Sequence, residues 1–352
     1  MGTFRLSVNR IEMKKLFYIV FLFCFPLTLL SQTNCVEVKQ IWSNGKHNAF
    51  TSLIKFRDAY YCSFREGESH IFDSSGKAEG KVRILKSTDG ENWESVALFG
   101  KDKYDLRDPK LSVTPDNRLM VTIGGSIYEE GKLTGRIPQV SFSKDGKHFS
   151  KPVPVNVRNE AGNGKDWIWR VTWHNGIGYA AMYSMTAQRD GFLSLLSTVD
   201  GINYDLITRF DIPDFPNEAT IRFDSAGNMS MMVRRELGDQ KGYFGKSSFP
   251  YTDWTWKKMD IRLGGPDYLY LNDGWVVMGT RSHYTSIAKT VLLTGNGTEK
   301  FQEVYVLPSG GDTSYPGLMV EGGQLWVSYY SSHRTPKASI YLAKIPLIVF
   351  AQ

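Results

Sequence analysis

Three segments of this 352-residue chain repeat one pattern. They are Ser87-Thr88-Asp89-Gly90-Glu91-Asn92-Trp93, Ser143-Lys144-Asp145-Gly146-Lys147-His148-Phe149 and Thr198-Val199-Asp200-Gly201-Ile202-Asn203-Tyr204. Each runs hydroxyl residue, one variable residue, Asp-Gly, two more residues, aromatic. The physical sense is a hairpin turn: the hydroxyl and the aspartate bond to turn backbone, glycine takes positive φ, and the aromatic packs back on the sheet. Their starts lie 56 and 55 residues apart. Regular spacing at this length marks a repeat architecture, and a four-stranded propeller blade fits the interval.

The blades can be followed in order. The first runs from Ala49-Phe50-Thr51-Ser52-Leu53 through Tyr61-Cys62-Ser63-Phe64-Arg65 to the first Asp-Gly turn. Others start at Leu106-Arg107-Asp108-Pro109, Trp167-Ile168-Trp169-Arg170, Pro216-Asn217-Glu218-Ala219, Gly264-Gly265-Pro266-Asp267 and Thr313-Ser314-Tyr315-Pro316. In the fourth, the outer turn has decayed to Ser248-Phe249-Pro250-Tyr251-Thr252-Asp253-Trp254. The chain ends one strand short in the last blade. The segment Cys35 to Trp42 can supply that strand, closing the ring and removing an open sheet edge. No long helical period interrupts the pattern, and 33 glycines and 14 prolines suit many short strands. The expectation is all-β: one six-bladed β-propeller domain over residues 33–352.

The N-terminus reads differently. Met13-Lys14-Lys15, the apolar run Leu16 to Leu30 and then Ser31-Gln32 have the layout of a secretory signal peptide over residues 1–32, with 1–12 open to being a misassigned upstream start. The run contains Pro26 and falls short of the roughly 20 residues needed to span a bilayer, so no transmembrane segment is expected after cleavage. The residues before Cys35 lack the small-residue context of a lipidated cysteine. Export implies a secreted or periplasmic protein, or one held at the cell surface. Cleavage lowers the formal +6 charge by three, since the leader carries Arg5, Arg10, Lys14 and Lys15 against Glu12. So small a charge argues against a nucleic-acid partner. Only Cys35 and Cys62 survive; they can pair in an oxidising compartment but are no disulfide framework. The six histidines (His47, His70, His148, His174, His283 and His333) show no paired ligand spacing, so neither metal nor cofactor is expected.

In a propeller the innermost strands begin around one end of the central channel. The candidate rim therefore holds Thr51, Arg107, Asp108, Trp169, Arg170, Asn217, Glu218, Asp267 and Tyr315. Beside it lie the ends of the second strands. Three of these finish on arginine at equivalent places: Phe64-Arg65-Glu66, Val233-Arg234-Arg235 and Thr280-Arg281-Ser282. Three guanidiniums on one rim repel each other unless an anion sits between them. A substrate carboxylate gripped by bidentate hydrogen bonds is the economical resolution.

These residues resemble the sialidase (neuraminidase) superfamily. The three turns look like its Asp boxes, one residue shorter than the commonest form. Asn217-Glu218 followed by Val233-Arg234-Arg235 is similar to the family's glutamate blade and second triad arginine. Arg281 and Ser314-Tyr315-Pro316-Gly317-Leu318 look like its third arginine and catalytic tyrosine segment. The resemblance covers the chain in order from the first blade to the last. It departs in one place: where the family opens the first blade with an arginine in Tyr-Arg-Ile-Pro, this chain reads Ala49-Phe50-Thr51-Ser52-Leu53, and Arg65 is the candidate substitute.

The resemblance implies an exo-acting glycoside hydrolase that releases a terminal sialic-acid-like sugar with retention. Its partner is then a glycan or glycoconjugate. A carboxylate nucleophile would repel the sugar's own carboxylate, whereas neutral Tyr315, deprotonated by Glu218, avoids this. The acid/base implied by the family is an aspartate on the loop after the first blade's second strand. There Glu68 and Asp73 flank His70; Asp73 is preferred and Asp108 is the second choice. Arg65, Arg234, Arg235, Arg281, Glu68, Asp108, Arg107, Arg170 and Trp169 are the candidate substrate-binding residues. Two other readings remain open: a hydrolase for another acidic or ulosonic sugar, and a carbohydrate-binding propeller without catalysis.

Overall fold

The computed structural model describes residues 1–2, 36–158, 162–185, 191–271, 274–283, 286–297 and 300–350. Apart from Met1 and Gly2, the expected leader lies outside them, as does Cys35 and with it any pairing to Cys62. Six antiparallel sheets form a six-bladed propeller. The first blade is His47–Phe56, Ala59–Gly67, Lys81–Ser87 and Glu94–Phe99, and the fourth is Pro216–Phe223, Met229–Arg235, Lys241–Ser247 and Thr255–Arg262. Blade two carries an extra strand, Lys132–Arg136, on its second strand, and its outermost strand is reduced to Val153–Pro154. Blade three gains Asn156–Val157, parallel to its outer strand. The last blade is Thr313–Glu321, Gln324–Ser331 and Ser339–Pro346, completed by Glu37–Trp42. That strand pairs antiparallel with Ser339–Pro346 from Glu37↔Lys344 to Trp42↔Ile340, so the ring is closed by hydrogen bonds between the two ends of the domain.

The three Asp-Gly turns share one geometry. Asp89 Oδ1 accepts the backbone N–H groups of Glu91 and Asn92, both at 2.8 Å. Asp145 does the same for Lys147 and His148, and Asp200 for Ile202 and Asn203. In each, the preceding hydroxyl (Ser87, Ser143 or Thr198) accepts the glycine N–H at 2.9 Å. The glycines hold φ of 73°, 70° and 77°, where a side chain is strained. They also pack closely on side chains from the second strand of the preceding blade: Gly90 on Trp326, Gly146 on Tyr61 and Gly201 on Met120. The decayed turn of blade four keeps this docking with an aromatic, since Tyr251 meets Tyr179 of blade three edge-on at 5.3 Å. The repeated turn is thus a latch between blades, which explains its even spacing.

The first strands line the axis. Neighbouring ones touch and exchange hydrogen bonds: Thr51 Oγ1 donates to Tyr315 O at 2.7 Å, and Thr220 Oγ1 to Pro266 O at 3.0 Å. Five of the six are bulged at one place, with two residues facing one on the second strand. The first bulged residues are Phe50, Asp108, Trp169, Glu218 and Tyr315. In the fifth blade Gly265 takes this place, because Gly264 O accepts the Arg281 N–H just as Asn217 pairs with Arg234. Phe50, Asp108, Glu218, Gly265 and Tyr315 all have positive φ, from 43° to 67°. A non-glycine residue held there costs on the order of 1–3 kcal/mol, so side chains kept at four such places point to use.

Candidate functional site

The bulges bring Glu218 and Tyr315 together from blades four and six. Tyr315 Oη donates to Glu218 Oε1 at 2.6 Å. Arg234 Nη1 lies 2.5 Å from the same oxygen and 3.5 Å from the phenol, and the Gly265 N–H donates to Glu218 Oε2 at 3.0 Å. The pair is largely enclosed, with Glu218 7% and Tyr315 9% exposed. Burial favours the neutral acid, but the Arg234 guanidinium, the Tyr315 hydroxyl and Arg281 hold the Glu218 carboxyl below its ordinary range. For Tyr315, burial and the adjacent carboxylate push the phenol well above the usual tyrosine range, against the pull of Arg234 and Arg281. The resting pair is therefore a neutral phenol donating to a carboxylate, a short charge-assisted bond. Phenolate can form only as the proton passes to Glu218.

Around the tyrosine stand aromatic and cationic groups. Phe50 meets Tyr315 edge-on at 4.9 Å, and Trp169 does so at 5.8 Å. The Arg281 guanidinium lies 5.9 Å from the Tyr315 ring centre, and Arg107 lies 5.0 Å from that of Phe50. Lys110 is buried 4.5 Å from the Trp169 ring centre and donates to Thr51 O at 3.2 Å. Burial and Arg170 bring its ammonium down to about 8, against Asp108, Asp267 and Glu218. Asp108 Oδ1 is buried with no hydrogen-bond partner among the described residues, and burial raises its carboxyl despite Arg107 and Lys110.

The expected arginine clamp divides. Arg65, Arg234 and Arg281 do occupy equivalent register positions, opposite Ala49, Asn217 and Gly264. Only Arg234 and Arg281 are brought to the tyrosine. Arg65 is 1% exposed and commits its guanidinium to Asp105 at 2.8 Å and to Ser69 O at 2.7 Å. Arg235 turns to Asp214, Asp239 and Lys241 O. Arg170 reaches across to Asp267 at 3.2 Å, where Arg222 also binds, so its guanidinium is committed to a buried ion pair. Asp105 likewise receives Arg107 at 3.1 Å.

The loop residues fall elsewhere. Arg65, Glu68 and Asp73 line a separate cleft with Lys46, Lys77 and Lys81. Asp73 closes a local turn, accepting the N–H groups of Ser75 and Lys77 at 2.8 and 2.9 Å. The Ser75 hydroxyl and these backbone bonds lower its carboxyl, which suits a turn anchor and not a proton donor. Glu68 bridges Lys46 and Lys337.

A second network adjoins the pair and was not foreseen. Arg281 Nη2 donates to Tyr330 Oη at 3.2 Å, and Tyr330 donates to Asp312 Oδ1 at 2.9 Å. Asp312 Oδ2 accepts His47 Nε2 at 2.8 Å and His70 Nδ1 at 2.7 Å. The donor atoms of His47, His70 and Asp312 lie within 4.8 Å of one another. Both imidazoles aim at one carboxylate oxygen, so the three side chains form one hydrogen-bonded group. Aligning the starts of the first strands on Glu218 and Tyr315 puts Phe50 and Gly265 at the equivalent places. Asp312 carried no such signal.

No family model and no curated protein matches the chain. Among solved structures, a protein of unknown function from Dyadobacter fermentans superposes with a TM-score of 0.73 over 88% of this chain and 99% of its own, at 19% identity. Trypanosoma rangeli sialidase gives 0.67 over 88% of this chain and 59% of its own, at 10% identity. An alpha-l-arabinofuranosidase from Fusarium graminearum gives 0.62 over 86% and 94%, at 14% identity. At these identities the likeness is one of fold: a sialidase-like propeller, spanning about three fifths of the trypanosomal chain.

Proposed function

We propose that the protein is an exo-acting glycoside hydrolase of sialidase type, working outside the cytoplasm, which releases a terminal sialic-acid-like sugar through a tyrosine nucleophile. The observation that carries this reading is the Tyr315–Glu218 hydrogen bond at 2.6 Å with Arg234 on the same oxygen. A phenol beside a buried base is a nucleophile without charge, suited to an anomeric carbon that bears a carboxylate. Arg234 and Arg281 are the groups to hold that carboxylate. As Tyr315 attacks, its proton passes to Glu218, and Arg234 stabilises the charge that develops on the phenol oxygen. The fold shared with Trypanosoma rangeli sialidase, which has been solved with sialic acid, supports the reading.

Phe50 favours one variation. It occupies the bulge in the first blade, and Arg65 is committed to Asp105 and so does not replace the family's first arginine. The clamp thus has two guanidiniums at the tyrosine, with Arg107 over the Phe50 ring as the nearest third. Phe50 itself is 1% exposed, so the difference lies in the clamp, and an acidic sugar other than sialic acid suits a rim with two guanidiniums at the tyrosine. Purified protein incubated with glycosides of several acidic sugars tests both forms: release of a free acidic sugar by the parent and not by Tyr315→Phe supports the mechanism, and the sugar released decides between them.

A further inference from the structure

A retaining glycosidase needs a group that protonates the departing oxygen and later activates water. Neither expected aspartate suits this task. Asp73 anchors a turn in a separate cleft. Asp108 is 9% exposed and sits between Arg107 and Lys110 in the sequence of the innermost strand. In an exo-acting enzyme the leaving group points outward, so its proton donor belongs at an exposed place on the rim.

We propose that His70, oriented by Asp312, is the general acid/base of this site; the assignment rests on the hydrolase reading above. The His70 side chain is 44% exposed. Its ring meets Phe50 edge-on at 5.1 Å, and Phe50 meets Tyr315 at 4.9 Å, so the imidazole stands one ring away from the nucleophile. Nδ1 is fixed on Asp312 Oδ2 at 2.7 Å, which leaves Nε2 to carry the mobile proton. Asp312 is itself held by Tyr330 and His47, and Tyr330 is tied to Arg281. A carboxylate clamped by Arg281 is therefore linked through Tyr330 and Asp312 to the acid. The charged and titratable groups facing His70 are Asp312, His47 (ring centres 5.6 Å apart) and, electrostatically, Asp108.

The steps balance. In the first, the Tyr315 oxygen bonds to the anomeric carbon as the glycosidic C–O bond breaks. The released electron pair stays on the leaving oxygen, which takes the Nε2 proton of the His70 imidazolium, while the phenol proton goes to Glu218. In the second, a water oxygen bonds to the anomeric carbon and gives a proton to His70. The tyrosyl C–O bond breaks, and the phenol oxygen regains its proton from Glu218.

The test compares two glycosides of the sugar that the parent releases, one with an alkyl and one with a 4-nitrophenyl leaving group. An aryl leaving group needs little protonation, whereas an alkoxide needs it fully. The expected result for His70→Ala is a loss on the order of 10²–10⁴ in kcat on the alkyl glycoside and a much smaller loss of glycosylation rate on the aryl one. His70→Gln, which keeps bulk and polarity, should show the same split, and thermal unfolding of both variants checks the fold. Equal losses on both glycosides would overturn the assignment, as would an unchanged alkyl rate or loss of parent activity on chelation. A parent that cleaves neither glycoside defeats the hydrolase reading itself, a separate outcome.

Discussion

Tyr315 and Glu218, 97 residues apart, share a hydrogen bond of 2.6 Å because the innermost strands of blades four and six bulge at the same place. The bond predicts how Glu218→Gln behaves. Glutamine keeps the shape but cannot accept the phenol proton, so kcat should fall by on the order of 10²–10⁴. The variant also removes a negative charge beside the place assigned to the sugar's carboxylate. Affinity for the acidic product should therefore hold or improve. Steady-state kinetics with product-binding calorimetry checks both; weaker binding with unchanged kcat would contradict the roles.

Arg65 and Arg281 occupy equivalent positions but should fail differently. Arg65→Ala leaves Asp105, 0% exposed, without its main cation. Breaking a buried pair in this way costs roughly 3–5 kcal/mol, to be read as a lower denaturant midpoint. Arg107 still reaches Asp105 at 3.1 Å, so the low end is expected. Arg281→Ala should instead weaken acidic-sugar binding by on the order of 2–5 kcal/mol. If Arg65→Ala weakens binding and spares stability, the assignment of the two arginines is reversed.

Gly265 tests the pair without altering either side chain of it. Its φ is 61°, and a Cβ there would lie 2.6 Å from Cγ and Cδ2 of Tyr315. Gly265→Ala should push the ring off Glu218, and a displacement near 1 Å costs about 10² in rate. The measurement is kcat beside a near-ultraviolet circular dichroism spectrum. Full activity in a folded variant would show that the Tyr315 position is not critical.

The reach of the sequence follows from which interactions are local. The Asp-Gly turns are satisfied within seven residues, and their spacing gave the blade period. Glu218, Arg234, Arg281 and Tyr315 were legible because strand order brings equivalent ends to one rim. The fate of Arg65 was not: register placed it with Arg234 and Arg281, but Asp105, 40 residues away, captured it. Asp73 reads as a proton-donor candidate in the sequence because a carboxylate in a loop looks alike whether it faces substrate or, as here, caps its own turn. Asp312 binds imidazoles 265 and 242 residues distant, and no spacing rule brings those together.

The turns also set a pH dependence of stability. Backbone N–H groups, first those of Asn92 and His148, hold Asp89 and Asp145 below the usual carboxyl range. For Asp200, burial opposes the shift, and the N–H of Asn203 and its neighbours outweigh it. A carboxyl lowered in the folded state stabilises above its unfolded value, near pH 4, and loses that contribution as pH falls through its folded value. The urea midpoint should therefore decline below about pH 4. Asn at all three positions should flatten that decline; an unchanged acid limb would place its cause elsewhere.

The most direct test of the account is release of free acidic sugar from a panel of sialosides and other acidic glycosides by the purified protein, run beside Tyr315→Phe. The account predicts release by the parent from at least one member. It predicts no turnover by Tyr315→Phe, with binding of the same sugar nearly intact, since only the nucleophilic oxygen is removed. Full turnover by Tyr315→Phe on that substrate, or binding by the parent with no release from any member, would contradict it.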